Sequence, residues 1–261
     1  MFYGAGDKKG AMMRQAPNLE DHWHLRIADI LALFYWADSH HRHFPTMSLA
    51  AKIGCTFLLA WYSHHKNPHH PLLNKSLIMH AIGDGLIELP LVTNISNKTA
   101  ILISLPAFYI GHIYGCRQFA QNRLTWQETS HGRKFGLFLF TLGSACITQQ
   151  IAANAHGLLG TMIPGYAIAL GALFILASLQ RQNATKSGAA ALLYVISDIG
   201  IAMRALKIVN ENSPLLLQFF SKNPVTWALY YFSQRAMTHF DFKKTGENHE
   251  ATFKPIPSPR Q

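Results

Sequence analysis

The chain has 261 residues, of which 49% are hydrophobic and only 14% are charged. Soluble domains carry about 25% charged residues, so the composition argues against a soluble globular protein. The formal net charge is +10, but the basic residues flank apolar segments and form no stripe with interleaved aromatic side chains, which argues against nucleic-acid binding. The pattern is typical of an all-α fold, a polytopic bundle of transmembrane helices.

Polar segments precede and follow the apolar region. Residues 1–22 form a polar N-terminal segment without the apolar core of a cleaved signal peptide, so we expect the first apolar segment to be retained. Residues 23–240 form the predicted transmembrane helical domain. Residues 241–261 form a polar tail that contains several prolines, and we expect this tail to be disordered.

Hydropathy predicts about eight spans. They cover approximately residues 25–37, 48–63, 72–91, 98–116, 135–152, 158–179, 187–206 and 223–239. The first two and the last are shorter than the roughly 20 residues that a perpendicular helix needs, so we expect them to be tilted, extended by their flanks or partly interfacial.

The distribution of Lys and Arg predicts the orientation of these spans. With eight spans, 17 of these residues fall on the side of the two termini. The other side holds only Arg42, Lys98, Arg204, Lys207 and Lys222. The positive-inside rule therefore predicts that both termini lie in the cytoplasm. The lack of targeting signals and the basic loops favour the inner membrane of a bacterium.

Two aspartates interrupt the third and seventh predicted spans. Asp84 and Asp198 each lie about 12 residues past the cytoplasmic start of their span, which is about 18 Å deep at roughly 1.5 Å per residue. A charged side chain at membrane depth costs about 2.5–3.5 kcal/mol on insertion scales, so such residues usually face a cavity and mark a functional site. If the two helices are neighbours, we expect the carboxylates to face one another.

Other polar residues accompany the aspartates. His80, Asp84 and Glu88 are spaced by four residues and share one helical face. Tyr194 and Asp198 have the same spacing in span seven, with Ser197 alongside. A purely structural interpretation stays open, because a buried Asp can simply form hydrogen bonds between helices and Glu88 can extend to the membrane interface.

Residues in other spans lie at various depths. Lys52 and Tyr166 count toward the same half of the membrane as the aspartates, and Lys52 is a natural counter-charge for a buried carboxylate. His112 and Gln234 count toward the cytoplasmic half. Direct contact between these two residues and the aspartates would therefore require a tilted or broken helix.

Several short stretches occur together in a characteristic order. They are Gly83-Asp84, Phe108-Tyr-Ile-Gly-His-Ile-Tyr114, Pro164-Gly-Tyr166, Gly188-Ala-Ala-Ala-Leu-Leu-Tyr-Val-Ile-Ser-Asp198 and Tyr230-Tyr-Phe-Ser-Gln234. In these stretches, over roughly residues 48–236, the chain resembles the lysoplasmalogenase family, also called the YhhN family. The resemblance implies an integral membrane hydrolase that cleaves the vinyl ether bond of lysoplasmalogens. The products would be a fatty aldehyde and glycerophosphoethanolamine or glycerophosphocholine.

The resemblance also implies the site residues. The family pattern falls on Lys52, Asp84, His112, Tyr114, Tyr166, Ser197, Asp198, Tyr231 and Gln234. His80, Glu88 and Tyr194 are secondary candidates from their helical spacing.

Vinyl ether hydrolysis suits a pair of carboxyl groups. The alkenyl carbon is protonated, water adds to the resulting oxocarbenium ion, and the hemiacetal collapses to an aldehyde, much as in glycoside hydrolysis. We expect Asp84 and Asp198 to divide the acid and base roles, which the sequence does not assign individually. Tyr166, Ser197 and Tyr231 would orient water or the ether oxygen. His112 and Gln234 would hold the head group near the cytoplasmic side.

This reaction scheme requires no metal and no cofactor. The expected partners of the protein are the alkenyl lysophospholipid substrate and the lipid bilayer. One alternative is a metal-assisted hydrolase with a site formed by Asp84, His80, Asp198 and His112. Another is a proton-coupled carrier or a lipid-binding membrane protein that uses the buried aspartates. A structural membrane protein is the third alternative, and the matched depth of the aspartates disfavours it.

Overall fold

The computed structural model describes residues 23–39, 42–68 and 70–240. Within these ranges the chain is helical and contains no β-strand, which confirms the all-α prediction. The predictions for residues 1–22 and 241–261 concern segments outside the described residues.

Over the described ranges, eight long helices correspond in order to the eight predicted spans, and one short helix, α8, was not predicted. They are α1 (Trp23–Asp38), α2 (Pro45–Lys66), α3 (Pro71–Ile87), α4 (Asn97–Ala120), α5 (His131–Asn154), α6 (Leu158–Ser178), α7 (Ala184–Ala205), α8 (Leu215–Ser221) and α9 (Asn223–Met237). A short 3-10 helix, Leu89–Leu91, follows α3.

Local sequence signals set where several helices begin. Helices α2, α3 and α9 carry a proline in their first turn, where the missing amide hydrogen leaves no helical bond unmade. Helices α4 and α5 follow a serine cap: the hydroxyl of Ser96 accepts a hydrogen bond from the amide of Thr99 at 3.2 Å, and Ser130 does the same for Arg133 at 3.4 Å. Such caps stabilise a helix start by about 1 kcal/mol.

The helices pack in a closed ring. Going around it, α1 packs on α2, α2 on α3, α3 on α4, α4 on α6, α6 on α7, α7 on α9, and α9 on α1. Helix α5 packs on α6. Glycines allow α3 and α4 to approach closely: a Cβ at Gly83 would lie 2.7 Å from the Phe108 ring, and one at Gly111 would lie 2.6 Å from the His80 ring.

Among the residues that the structure describes, four helices, α4 to α7, are long and apolar enough to cross a membrane. Helices α1, α3 and α9 have 16, 17 and 15 residues, which is less than the roughly 20 residues of a perpendicular span. Helix α2 has 22 residues but carries Lys52 inside and His64, His65 and Lys66 at its end. The eight spans and the cytoplasmic termini therefore remain predictions.

Loops that the charge pattern groups on one side meet in the structure. Arg181, before α7, forms an ion pair of 2.8 Å with Glu128, before α5. Lys66, at the end of α2, donates to the carbonyl of His239, after α9, at 3.4 Å. Gln118, near the end of α4, also lies 3.2 Å from the ring of His70 in the α2–α3 loop. Together these contacts place the α2–α3, α4–α5 and α6–α7 loops and the end of α9 at one end of the bundle, which we call the loop end.

Candidate functional site

A cavity of about 500 Å³ lies inside the opposite half of the bundle. It reaches from the interior to the exposed side chains of Arg42 and Lys207, which mark its mouth. Both predicted catalytic residues, Asp84 and Asp198, line it. The cavity therefore brings together carboxylates from α3 and α7, two helices that are not adjacent in the ring.

Asp84 is buried and surrounded by hydrogen-bond donors. Its Oδ2 accepts hydrogen bonds from the hydroxyls of Thr56 and Tyr230, both at 2.9 Å. The Lys52 ammonium lies 3.9 Å from Oδ1. Two helices, α2 and α9, supply these partners, so the position of this carboxylate on α3 depends on the packing of α2, α3 and α9.

Lys52 is shared between Asp84 and a second carboxylate. Its Nζ donates to Glu88 Oε1 at 2.8 Å, and the Tyr35 hydroxyl donates to the same oxygen at 2.5 Å. The rings of Tyr35 and Trp227 lie 5.2 and 5.3 Å from the ammonium, within the range of a cation–π interaction. Glu88 is only 8% exposed and points into the protein, so it does not extend to an interface.

Asp198 has a different set of partners. The Tyr166 hydroxyl donates to Asp198 Oδ2, and the Nε2 atom of His112 lies 2.9 Å from the same hydroxyl and 3.7 Å from the carboxylate. Because the Tyr166 hydrogen points to the carboxylate, we assign the His112 proton to Nε2, which donates to the phenol oxygen. His112 therefore positions Tyr166 against Asp198.

Aromatic rings lie between the two carboxylates. The Tyr194 ring is 5.1 Å from the rings of both His112 and Tyr230. The buried His80 ring lies 5.1 Å from His112 and 5.2 Å from Tyr194. The predicted face of His80, Asp84 and Glu88 is buried along its length, but the two aspartates are connected through rings rather than packed on adjacent helices.

His112 lies closer to Asp198 than the depth estimated from the sequence predicted. That estimate assumes parallel helices that begin at equal depth, and it placed His112 away from the aspartates. In the structure His112 bonds to Tyr166 and its Nε2 atom lies 3.7 Å from the Asp198 carboxylate. Helix α4 also contains Pro106, which cannot donate the usual helical hydrogen bond. Gln234 is also fully buried and lies beside Tyr194.

Ser197, Tyr231 and Tyr114, which the resemblance implies as site residues, do not line this cavity. The Ser197 hydroxyl donates to the carbonyl of Thr226 at 2.9 Å, which joins α7 to α9. The Tyr231 hydroxyl donates to Asp29 at 2.6 Å, on α1. The Tyr114 ring lies 5.9 Å from the ammonium of Lys75. The water-orienting roles predicted for Ser197 and Tyr231 have no counterpart in these contacts.

Sequence reasoning missed Tyr230, Thr56, Tyr35 and Trp227. A signal existed for Thr56, which lies four residues after Lys52 and so shares its helical face. Tyr230 directly precedes Tyr231, which the resemblance implied as a site residue. Tyr35 belongs to α1, and nothing in its local sequence indicates a contact with Glu88.

In the part of the chain that the structure describes, no group of three or more His, Cys, Asp or Glu side chains is placed to hold a metal ion. The predicted metal-assisted set of Asp84, His80, Asp198 and His112 is therefore not assembled as a ligand group. The two histidines instead contact tyrosine rings.

Fold and site together define an all-helical protein with membrane-like helices and a buried polar site. The model of the YhhN family matches residues 44–239, and the chain belongs to this family, as the sequence predicted. The match begins just before α2 and thus includes both aspartates, whereas Tyr35 precedes it. No curated protein and no solved structure matches the chain.

Proposed function

We propose that this protein is a membrane hydrolase that cleaves the vinyl ether bond of lysoplasmalogens. The observation that carries the proposal is the placement of Asp84 and Asp198 on the walls of one cavity. Membership of the YhhN family supports it, together with the resemblance noted above. The products are a fatty aldehyde and glycerophosphoethanolamine or glycerophosphocholine.

The reaction needs one proton donor and one carboxylate. One carboxyl group protonates the alkenyl carbon, and the positive charge spreads over the adjacent carbon and the ether oxygen. The other carboxylate stabilises this cation and takes a proton from the water that attacks it. The second carboxyl group then gives the proton it took from water to the glycerol oxygen as the bond from the hemiacetal carbon to that oxygen breaks. The hemiacetal hydroxyl loses its proton to the first carboxylate and becomes the aldehyde carbonyl, so both groups return to their starting states.

The donors around each aspartate suit these roles. Lys52, Thr56 and Tyr230 hold Asp84 in place from one side. Tyr166 does the same for Asp198, and both tyrosines line the cavity. Preorganised hydrogen bonds of this kind keep a charged group oriented without reorganisation during the reaction. We assign the orienting role to Tyr166 and Tyr230.

The remaining wall of the cavity suits an aliphatic chain. Helices α4, α5 and α6 contribute apolar side chains to it, among them Leu105, Phe108, Phe140, Ile163 and Leu170. Ligand pockets of about 300–1,000 Å³ with a few polar groups and apolar walls are typical of small-molecule sites. A cavity of about 500 Å³ lies within this range.

The test is aldehyde release by the purified protein in detergent. The substrate is 1-alkenyl lysophosphatidylethanolamine, with the 1-acyl analogue as the control lipid. We expect aldehyde from the alkenyl lipid alone, and a loss of at least about a hundredfold in Asp84→Asn and Asp198→Asn. Folded wild-type protein that releases no aldehyde from either common head group would contradict the proposal.

A carrier is the second candidate, because the rings of His80, His112 and Tyr194 between two carboxylates resemble a proton relay. A carrier must expose its site to both sides of the membrane in turn. Proton-driven uptake into sealed vesicles, without aldehyde formation in detergent, would favour the carrier.

A further inference from the structure

Three basic side chains line the mouth of the cavity. They are Arg42, after α1, and Arg204 and Lys207, at the end of α7. All three are exposed. None of them forms an ion pair with a carboxylate in the described part of the chain. Their positive charge is therefore available to a ligand at this end of the bundle.

Two of these residues have an unusual backbone. Among the described residues, three other than glycine have a positive φ: Arg42 at 50°, Lys207 at 54° and Asn183 at 59°. Asparagine tolerates the left-handed region, whereas Arg and Lys adopt it at a cost. Such strain concentrates at functional sites. Here the two strained cations meet at the mouth of one cavity.

The end of α7 shows why Lys207 is notable. The amide of Ile208 donates to the carbonyl of Met203 at 2.9 Å, and the amide of Lys207 donates to the carbonyl of Arg204 at 3.1 Å. This is the Schellman arrangement, whose left-handed position is usually occupied by glycine. A lysine in that position places an ammonium at the cavity mouth where the most common residue would carry no side chain.

Arg204 is held in a fixed position. Its Nη1 donates to the carbonyl of Ser221 at 3.0 Å and to the hydroxyl of Thr226 at 3.1 Å. These bonds use one edge of the guanidinium group, which has five donors in all. The other edge remains for an anion, and a planar guanidinium matches the geometry of phosphate oxygens.

We propose that Arg42, Arg204 and Lys207 bind the phosphate group of a lysophospholipid at the mouth of the cavity. The inference rests on the proposed function, because it places the same substrate in the same cavity. This placement differs from the sequence-based prediction, in which His112 and Gln234 hold the head group near the cytoplasmic side. Both of those residues are fully buried, whereas the three basic residues lie at the cavity mouth, away from the loop end.

The distances agree with this placement. Arg204 lies six positions after Asp198, which corresponds to about 9 Å along a helix at roughly 1.5 Å per residue. In a lysoplasmalogen the phosphorus is joined through the glycerol to the protonated alkenyl carbon by a chain of roughly seven bonds. An extended chain advances roughly 1.2 Å per bond, which gives about 8 Å. A phosphate at Arg204 therefore leaves the vinyl ether near Asp198.

The test measures binding without turnover. The probes are 1-O-hexadecyl-glycero-3-phosphoethanolamine, whose saturated ether resists this hydrolysis, and 1-O-hexadecylglycerol, which lacks the phosphate. Binding to the full chain in a sugar-based detergent is measured for wild type, Arg42→Gln and Lys207→Gln. Lys98→Gln is the matched control, because Lys98 is an exposed cation on the first turn of α4, next to the cavity-lining Asn97.

We expect each cavity variant to bind the phospholipid about tenfold more weakly, as for the loss of one hydrogen bond to a charged group. Binding of the alkylglycerol and all binding by Lys98→Gln should stay at the wild-type level. Equal losses for both probes, or unchanged phospholipid binding in both cavity variants, would overturn the inference. Because the binding test needs no cleavage, it can be interpreted even if the protein releases no aldehyde, an outcome that would contradict the proposed function alone.

Discussion

Tyr230 on α9 donates a hydrogen bond of 2.9 Å to Asp84 on α3, although 146 positions separate the two residues in the chain. The adjacent Tyr231 points about 100° away around α9 and donates a hydrogen bond to Asp29 on α1. Two neighbouring phenols thus serve different purposes, one in the cavity and one in the packing of α1 on α9. This pair allows the proposed site to be tested with nearly identical substitutions.

Tyr230→Phe should lower kcat by about ten- to hundredfold, because it removes one of the donors that orient Asp84. Tyr231→Phe should change kcat by less than about threefold and lower the free energy of unfolding by about 1 kcal/mol, since it loses a partly exposed hydrogen bond. Steady-state aldehyde release and thermal unfolding in detergent measure the two effects. The reverse order of the two kcat values would show that the cavity-lining phenol is not the functional one.

Lys52→Met should destabilise the protein by about 3–5 kcal/mol, because it leaves the carboxylates of Asp84 and Glu88 buried without their shared cation. The double variant Lys52→Met/Glu88→Gln should recover part of this loss, since it removes one of the two uncompensated charges. Unfolding midpoints in detergent, followed by tryptophan fluorescence, provide the comparison. A double variant less stable than Lys52→Met would refute the shared role of the lysine.

Tyr166→Phe and His112→Ala should have non-additive effects on kcat. If His112 acts by orienting the Tyr166 hydroxyl, its removal matters little once that hydroxyl is gone. Each single variant should lose about tenfold or more, and the double variant should lose about as much as the more impaired single variant. A double-mutant cycle on aldehyde release gives the coupling. Fully multiplicative losses would show that the two side chains act separately.

The loop end of the bundle gives a prediction for pH. The amide of Thr125 and the Arg181 guanidinium lower the pKa of Glu128 to about 2, below its ordinary 4.5. A carboxyl group with a lowered pKa stabilises the fold above its unfolded pKa and loses that contribution as the pH falls. Between about pH 4.5 and 2, wild type should therefore lose more stability than Glu128→Gln. Equal pH dependence of their unfolding midpoints would contradict a role for this ion pair.

Lys207→Gly should raise stability while weakening substrate binding. Glycine relieves the left-handed strain of about 1–2 kcal/mol, offset by the larger freedom of glycine in the unfolded chain, so a net gain of up to about 1 kcal/mol is expected. Asn183→Gly is the control, because it has the same backbone conformation at the loop end and should leave KM unchanged. A Lys207→Gly variant with the wild-type KM would argue against the phosphate site.

The sequence by itself determined the features that depend on local composition and short spacing. Hydropathy is a local property, so the order and approximate bounds of the long helices could be predicted from the apolar segments. Asp84 and Asp198 were recognisable because a charge is costly in an apolar segment, wherever the helix packs. The shared face of His80, Asp84 and Glu88 followed from helical periodicity alone.

Only the tertiary structure decided which partners meet these residues. Successive residues on a helix point about 100° apart, so the choice between Tyr230 and Tyr231 depends on how α9 is rotated against α3 and α1. The contact of Tyr35 with Glu88 and that of His112 with Asp198 likewise depend on helix tilt and on the order of helices around the ring. These quantities follow from the packing of many side chains at once, which a local pattern does not contain.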